Sequence, residues 1–276
     1  DTIRGLQSSL RVYGVNVTMA TGRTLFGIST LLRDWRLSRG VPLILYNGSV
    51  VLAHGSRVPI SSRKIDAADL QTILSICEPA DVQVLAYSFS GGGNRPLANM
   101  TTGEAVVGWS HTRRAITEYN GMPVDWMEDW SASESSEPNA ILIGCDGTPE
   151  VIGALRKKAD SLCSVTVTQS SSAYLEVRPR GSNKAIALSE ACVATRVTQD
   201  QVLALGDNDN DAEMLSWAGT GVAVASASDA ARQACNYVCR HGVSESAVEL
   251  LRLVKHARRY FPSEGEPDAQ GVGHAS

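Results

Sequence analysis

Short apolar runs that end in polar turns alternate with helical patterns at both ends of this 276-residue chain. The clearest are VNVTMA from Val15, VPLILY from Val41 and QVLALG from Gln201. A continuous apolar run such as VPLILY is typical of a strand that is buried on both faces in a parallel sheet. The alternation therefore predicts an α/β fold with a doubly wound parallel sheet of the Rossmann-like kind.

The middle of the chain has a different pattern, which predicts an inserted α+β unit. A helix at 68–78, strands at 81–89 and 140–144, a helix at 149–162 and a hairpin at 164–179 follow one another there. Polar loops are predicted at 88–103 and 131–138, and core helices at 24–35, 183–193, 209–218, 228–235 and 244–258. The predicted domains are a core of residues 1–60 and 180–260, an inserted cap of residues 61–179 and a disordered tail at 261–276.

The composition excludes several classes of protein. The net charge is −4 and 20% of the residues are charged, so the chain lacks the basic surface that binding to nucleic acid or an anionic membrane requires. No apolar run approaches the roughly 20 residues of a membrane-spanning helix. The six scattered cysteines favour reduced thiols in a cytoplasmic protein. A zinc site at Cys235 and Cys239 is disfavoured, because no second cysteine pair or histidine cluster accompanies them.

Polar residues that suit phosphate and a metal ion follow the predicted core strands. They are Thr21, Gly22 and Arg23 after the first run, Asn47 and Gly48 after the second, GDNDND from Gly206 after the third, and Lys184 at the start of the helix that follows the insert. The carboxyl ends of parallel strands meet at one sheet edge. There, backbone N–H groups at Thr21 and Gly22, with the helix N-terminus, can hold phosphate oxygens. Lys184 can neutralise phosphate charge, and Asp207 with its neighbours can bind Mg²⁺.

Each of these residues has a plainer interpretation when it is taken alone. Thr21 could be an ordinary helix N-cap, Lys184 a solvated lysine and Asn47-Gly48 a hairpin turn. GDNDND could be an acidic loop or a weak calcium site, although it lacks the spacing of an EF-hand loop. Their order along the chain and their shared sheet edge favour the functional interpretation.

Four segments in order resemble the motifs of the haloacid dehalogenase superfamily, in its Cof-type (HAD-IIB) branch of phosphatases with a large α/β cap. VTMATGR resembles the second motif, SNKAIAL the third and GDNDND the fourth, while LILYNGSVV resembles the segment before the cap. The likeness extends to about residue 258, although VASAS stands where the family more often has an Asn-Ala pair. It implies a Mg²⁺-dependent hydrolase of a small phosphorylated metabolite, with sugar phosphates as the leading class, that is a monomer or homodimer.

The resemblance also implies a role for each matching residue. Thr21 would hydrogen-bond the transferring phosphoryl group, and Lys184 would hold the phosphate and the nucleophile. Asp207 would bind Mg²⁺, and Asn210 and Asp211 would support the metal or the lysine. The residues beside the bound phosphate would be Gly22, Arg23, Asn47 and Gly48.

The reaction of this family uses two aspartates. One attacks phosphorus to give an aspartyl-phosphate, and the other acts as an acid and then activates water. They lie in a D-x-D-G-T motif at the end of the first strand, one βα crossover ahead of the Thr21 strand. Only 20 residues precede Thr21 and they contain no D-x-D, whereas a βαβ unit takes about 30 residues or more. We therefore expect the first strand and both aspartates to be absent from this chain, and the isolated chain to be inactive.

The segment ILIGCDGTPE, from Ile141, contains an Asp-Gly-Thr run that mimics this motif. Gly144 occupies the position of its first aspartate, and the segment lies within the predicted cap. We expect Asp146 to be a turn residue, with Thr148 as the N-cap of a helix that begins at Pro149.

Two alternative functions stay open. A phosphomutase-like phosphotransferase would return the phosphoryl group to a sugar, and a non-catalytic remnant would bind phosphate without a nucleophile. Arg178 and Arg180 could reach the substrate, although solvated arginines are the commoner case. The tryptophans of the insert could line a pocket, although packing is the more common role; they are Trp109, Trp126 and Trp130.

Overall fold

The computed structural model describes residues 10, 14–35, 37, 40–90, 102–112, 114, 118, 120–131, 137–144, 148–159, 161–169, 174–242, 245–246, 248–250 and 252. Within these ranges, every helix is too short or too polar to span a lipid bilayer.

The described helices and strands follow the alternation that the sequence predicts. The helices are α1 (Leu25–Trp35), α2 (Ala67–Cys77), α3 (Pro149–Ala159), α4 (Lys184–Thr195), α5 (Ala212–Trp217) and α6 (Asp229–Ala234). The strands are β1 (Pro42–Leu45), β2 (Val50–Ala53), β3 (Pro59–Ser62), β4 (Val84–Phe89), β5 (Glu104–Trp109), β6 (Val124–Met127), β7 (Ala140–Gly144), β8 (Val165–Gln169), β9 (Tyr174–Pro179), β10 (Leu203–Gly206), β11 (Thr220–Ala223) and β12 (Tyr237–Val238).

The strands form three sheets in the described part of the chain. β10, β11 and β12 form a parallel sheet, and β1, β2 and β3 form an antiparallel one. The middle of the chain forms a six-stranded mixed sheet in the order β6-β5-β4-β7-β9-β8. The predicted α/β class with a parallel sheet is therefore confirmed.

The pairing of β1 differs in part from the prediction. β1 is fully buried, but it pairs with β2 in an antiparallel ladder from Pro42–Ala53 to Leu45–Val50. Its parallel neighbour is an extended segment with a single bridge at Ala20, where Ile44 N–H donates to Met19 O and Thr21 N–H donates to Ile44 O, each at 2.9 Å. The segment at 15–20 is therefore aligned with β1 without forming a full strand.

The two predicted halves of the core share one hydrophobic cluster. Ile44 and Val51, from the N-terminal half, pack with Ala187, Leu215 and Ala223 from the C-terminal half. All five side chains are fully buried. This packing positions the start of α4 and the end of β10 next to the turn that follows β1.

The middle sheet is buried on both of its faces. One face packs with α2 and α3, through residues such as Ile73, Ile143 and Leu155. The other face packs against the N-terminal half, where Leu85 shares a cluster with Ile28. The division into a core at 1–60 and 180–260 and a cap at 61–179 stays a prediction.

Thr148 occupies the predicted N-cap position of α3, but its side chain does not cap the helix. The helix begins at Pro149, but the Thr148 hydroxyl is turned into the interior and makes no hydrogen bond to the described residues. The Thr148 carbonyl accepts the Val151 N–H instead, at 3.2 Å. Asp146 lies outside the described residues, as do most of the loops at 88–103 and 131–138 and all of the tail at 261–276.

The cysteines and tryptophans fit the plainer expectations. The five cysteines in the described ranges are free thiols. Trp109 and Trp130 are buried in the cluster between the middle sheet and its helices, and Trp126 packs at the edge of the cluster on the opposite face.

Candidate active site

The turn after β1 holds three consecutive residues in the left-handed region. Their φ angles are 50° at Tyr46, 53° at Asn47 and 96° at Gly48. Residues with a side chain adopt this region at a cost of about 1–2 kcal/mol, which asparagine tolerates better than most. Two hydrogen bonds stabilise the turn: Tyr46 N–H donates to Arg23 O at 3.3 Å, and Asn47 N–H donates to Thr21 O at 3.0 Å. The turn is therefore fixed against the Thr21 segment.

Gly48 allows α4 to approach this turn closely. A Cβ atom at Gly48 would lie 2.2 Å from Asn183 O, which no side chain can accept. Asn183 is the N-cap of α4, and its Oδ1 accepts the Ile186 N–H at 2.7 Å. The contact places Lys184, the first residue of α4, beside the site.

Lys184 forms a buried ion pair. Its Nζ lies 2.6 Å from Asp211 Oδ1 and 3.5 Å from Asn210 Oδ1, and the charged side chains of Lys184 and Asp211 are 7% and 6% exposed. Asp211 Oδ2 accepts the N–H groups of Asp207 at 3.0 Å and Asn208 at 3.1 Å. One carboxylate therefore fixes both the lysine and the loop after β10, which excludes a solvated lysine.

The Asn47 side chain connects three segments. Its Oδ1 accepts from Asn210 Nδ2 at 3.1 Å, and its Nδ2 donates to Glu176 Oε1 of β9 at 2.5 Å. A Cβ atom at Gly22 would lie 2.8 Å from Asn47 Nδ2, so the Thr21-Gly22 turn packs directly on this amide. Asn47 is therefore more than a hairpin turn residue.

The expectation that the helix N-terminus helps to hold phosphate oxygens is wrong for α1. The N–H groups of Leu25 and Phe26 donate to the Glu104 carboxylate at 2.6 Å and 2.7 Å, and the Gly27 N–H donates to Thr24 Oγ1 at 2.9 Å. A buried carboxylate from the middle sheet thus occupies the site that an anion would take. Thr24, and not Thr21, supplies the hydroxyl that caps the helix.

A cavity of about 530 Å³ lies where these segments meet. Of the nine predicted site residues, only Gly48 does not line it. The predicted residues that line it are Thr21, Gly22, Arg23, Asn47, Lys184, Asp207, Asn210 and Asp211. The middle sheet contributes Tyr87, Ala140, Ile141, Leu142 and Glu176.

Two carboxylates, those of Asp207 and Asp211, lie close to each other in the cavity. Burial and the neighbouring Asp211 carboxylate raise the pKa of Asp207 above its ordinary value of 3.8, while Lys184 acts in the opposite direction. Within the described ranges, no group of three or more His, Cys, Asp or Glu side chains is placed to hold a metal ion. The oxygens of Asp207 and Asn210 suit Mg²⁺, which usually keeps water and takes phosphate oxygens as further ligands. The residues present therefore fit Mg²⁺ as a partial set of ligands.

Comparison with known proteins decides the family. The sequence model of the haloacid dehalogenase-like hydrolases matches residues 1–250. The chain belongs to this family. The resemblance predicted from the four motifs is therefore confirmed, and so is the expected enzyme class, a phosphatase of the haloacid dehalogenase-like hydrolases.

Several relatives of this haloacid dehalogenase-like hydrolase carry more specific names. The chain is 23% identical over 261 residues to YxeH of Bacillus subtilis, which is named as a phosphatase, with 91% of each chain covered. It is 32% identical over 103 residues to 5-amino-6-(5-phospho-D-ribitylamino)uracil phosphatase YcsE of the same organism, with 37% of this chain and 40% of YcsE covered. The structure of the HAD subclass IIB sugar phosphatase BT4131 matches with a TM-score of 0.68 at 16% identity, over 92% of this chain and 90% of that one.

Sequence reasoning missed two carboxylates that contact the site. Glu104 and Glu176 lie in the middle sheet, far in sequence from the turn that they contact. The alternation along β9, where Leu175 and Val177 are buried, is a usable signal for Glu176, since it places Glu176 on the opposite face. Glu104 gives no such signal. Arg180, a sequence candidate for the site, donates to the carbonyls of Cys163 and Leu162 at 3.0 Å and 2.8 Å instead.

Proposed function

We propose that this chain carries the phosphate- and metal-binding part of a Mg²⁺-dependent phosphatase. Its substrate is a small phosphorylated metabolite, with sugar phosphates as the leading class. The observation that carries the proposal is the convergence of Thr21, Lys184 and Asp207 on one cavity, where Asp211 fixes the lysine. If these residues were only a helix cap, a solvated lysine and an acidic loop, nothing would bring them together at one cavity.

The phosphoryl group binds at the Thr21 end of the cavity. The Gly22 N–H makes no hydrogen bond to the part of the chain that the structure describes, so it can donate to a phosphoryl oxygen. The Thr21 hydroxyl and the exposed Arg23 side chain lie on either side of it and supply further donors. Lys184, held in place by Asp211, contributes positive charge.

Asp207 and Asn210 would hold Mg²⁺, with Asp211 beside them. When bound, the ion supplies positive charge that offsets the charge of the phosphoryl oxygens. The protein's own part is to fix these oxygens: the Asp207 N–H is held by Asp211, and the Asn210 amide is held by Asn47.

The nucleophile is the first aspartate of the family's D-x-D-G-T motif, and the reaction passes through an aspartyl-phosphate. The D-x-D-G-T motif of the family does not occur in the 276 residues. Within the described residues, β10 pairs along one edge only, with β11, and the Thr21 segment pairs along one side only, with β1. The two remaining edges can accept the strand that carries the motif.

The named relatives support the choice of substrate class. BT4131 is described as a sugar phosphatase, and YcsE as a phosphatase of a phosphoribityl compound. Both names describe phosphate esters of sugar-like carbon chains. The scattered free cysteines favour a cytoplasmic enzyme.

Calorimetric titration of the chain with inorganic phosphate, with and without Mg²⁺, tests the proposal. We expect phosphate to bind only weakly without Mg²⁺, and Asp207→Asn to lose at least about tenfold in Mg²⁺-supported affinity. Glu150→Gln, which removes an exposed carboxylate of α3 outside the cavity, is the matched control and should bind as the wild type does. A folded chain that binds neither phosphate nor any phosphomonoester contradicts the proposal.

The position of the nucleophile and the two rival functions need their own tests. Phosphate release by the 276-residue chain itself, lost in Asp207→Ala, would show that the nucleophile lies within it. An in-frame D-x-D-G-T codon run ahead of the Asp1 codon is the expected finding, and its absence from the coding sequence favours the non-catalytic remnant. Transfer of the phosphoryl group to a sugar, and not to water, by an enzyme that includes the D-x-D-G-T motif favours the phosphomutase-like rival.

A further inference from the structure

The described cations of the cavity lie on one of its sides only. The segments before β4 and after β9 contribute both of its cations, Arg23 and Lys184, together with Asp207 and Asp211. On the side of the middle sheet, Glu176 is the one charged residue among the described residues that line the cavity. The described lining of the cavity therefore holds two cations and three carboxylates in total. A second anionic group on a substrate would meet no described cation on the side of the middle sheet.

Glu176 is placed to contact a ligand. It is half-buried, and the alternation along β9 turns it away from the cluster that holds Leu175 and Val177. One carboxylate oxygen, Oε1, accepts the Asn47 amide at 2.5 Å. The other oxygen, Oε2, has no hydrogen-bond partner within the described ranges, so it is available to a group in the cavity.

Three hydrogen bonds connect Glu176 to the phosphate side of the cavity. Asn47 donates to Glu176, Asn210 donates to Asn47 at 3.1 Å, and Lys184 lies 3.5 Å from Asn210. Two amide side chains therefore separate the Glu176 carboxylate from the Lys184 ammonium. A phosphoryl group held near Lys184 directs the rest of its ester towards the middle sheet, where Glu176 is the charged acceptor among the described lining residues.

We infer that Glu176 is a specificity-determining residue that selects the group esterified to phosphate. Its free oxygen accepts a hydrogen bond from a hydroxyl of an uncharged polyol or sugar, and its negative charge disfavours a leaving group that carries a carboxylate or a second phosphate. The inference rests on the proposed function, because it takes the cavity as the site of a phosphomonoester. It goes further by dividing phosphomonoesters into an accepted and a rejected class.

A matched pair of ligands tests this selection. Glycerol 3-phosphate and 3-phosphoglycerate share a three-carbon skeleton and differ at one end, which is a hydroxymethyl group in the first and a carboxylate in the second. The dissociation constants of both, and of inorganic phosphate, are measured by calorimetry with Mg²⁺ for the wild type, Glu176→Gln and the control Glu150→Gln. The Glu176→Gln variant keeps a side-chain oxygen for Asn47 while removing the charge, so a change in selectivity is separable from a change in the position of Asn47.

We expect the wild type to bind glycerol 3-phosphate at least about tenfold more tightly than 3-phosphoglycerate. In Glu176→Gln this ratio should fall below about threefold, chiefly because 3-phosphoglycerate binds more tightly, while the affinity for inorganic phosphate is unchanged. An unchanged ratio, or an equal loss for all three ligands, overturns the inference and leaves Glu176 a residue that only positions Asn47. If none of the three ligands binds the wild type, the proposed function fails instead.

Discussion

The Glu104 carboxylate, at the start of β5, accepts a hydrogen bond from the Tyr46 hydroxyl at 2.5 Å. The same carboxylate accepts the N–H groups of Leu25 and Phe26 at the start of α1. Glu104 is fully buried, so these contacts replace the water that a carboxylate otherwise binds. The middle sheet is thereby joined to the turn that carries Asn47, one residue after Tyr46.

We expect Glu104→Gln to lower the free energy of unfolding by about 1–3 kcal/mol at neutral pH. The glutamine amide offers one acceptor oxygen where the carboxylate offers two, and its NH₂ group would face a backbone N–H or the Tyr46 hydroxyl. Urea denaturation of the variant, beside Tyr46→Phe, measures the loss. Tyr46→Phe removes only one of the three donors, so it should be the milder change; the opposite order would contradict this account of the contact.

The stability difference between the wild type and Glu104→Gln should also depend on pH. Burial raises the pKa of Glu104 above its ordinary value of 4.5, although the hydrogen bonds from Tyr46 and the α1 backbone oppose this. Because the folded state holds the proton to a higher pH, the contribution of this titration is fully present below pH 4.5 and is lost as the pH rises through the raised pKa. The free energy of unfolding of the wild type should therefore exceed that of Glu104→Gln by the largest amount near pH 4.5 and by a smaller amount at about pH 8. A gap that widens with rising pH would show that the pKa of Glu104 is lowered by folding.

Asn47 combines a left-handed backbone with two side-chain hydrogen bonds, and a pair of variants separates the two. Asn47→Gly and Asn47→Ala both lose the bonds to Glu176 and Asn210, but only alanine strains the backbone at a φ of 53°. We expect Asn47→Ala to be less stable than Asn47→Gly by about 1–2 kcal/mol. Urea denaturation measures this difference, and calorimetry should find weaker phosphate binding in both variants. Equal stability would mean that the turn relaxes to another conformation.

The ion pair of Lys184 and Asp211 should contribute far more than a surface pair does. Both side chains are buried, so Lys184→Ala leaves the Asp211 charge without its partner, and we expect a loss of about 3–5 kcal/mol in the free energy of unfolding. The matched control is Lys64→Ala, which breaks the pair with Glu137 at 3.8 Å, where the two side chains are 47% and 51% exposed. The free energy of unfolding of Lys64→Ala should fall by less than about 1 kcal/mol. Similar losses for the two variants would mean that water reaches the Lys184 pair.

The sequence predicted the parts of the site that depend on strand ends. Thr21, Asn47, Lys184 and Asp207 lie at the ends or starts of core elements, and parallel topology brings such positions to one edge whatever the details of packing. The pattern of apolar residues also located most of the helices and strands. It could not show that the segment at 15–20 makes only one bridge, because hydrogen-bond pairing depends on neighbouring strands and not on the apolar pattern of one segment.

The contacts between the middle sheet and the turn after β1 were beyond sequence reasoning. Glu104 and Glu176 meet Tyr46 and Asn47 across 58 and 129 positions of the chain, and one sequence does not specify which residues of two packed units face each other. The left-handed Tyr46 is a second example. Its conformation follows from the surrounding hydrogen bonds, since tyrosine by itself disfavours a φ of 50°.

Gly48→Ala should be the most destabilising glycine-to-alanine substitution in the described part of the site. Gly40→Ala is its control, because it shows how much of the stability loss comes from backbone strain and how much from steric crowding. Both glycines have a positive φ, 96° and 83°, but a Cβ atom at Gly48 would lie 2.2 Å from Asn183 O, whereas no described atom lies within 4 Å of a Cβ atom at Gly40. Gly40→Ala should therefore lose about 1–2 kcal/mol from backbone strain alone. Gly48→Ala should lose about 1–3 kcal/mol more, because α4 has to move away from the turn. That movement takes Lys184 with it, so phosphate affinity should fall in Gly48→Ala and remain unchanged in Gly40→Ala. Urea denaturation and calorimetry with inorganic phosphate measure both effects, and equal losses at the two glycines would show that α4 is not held against the turn.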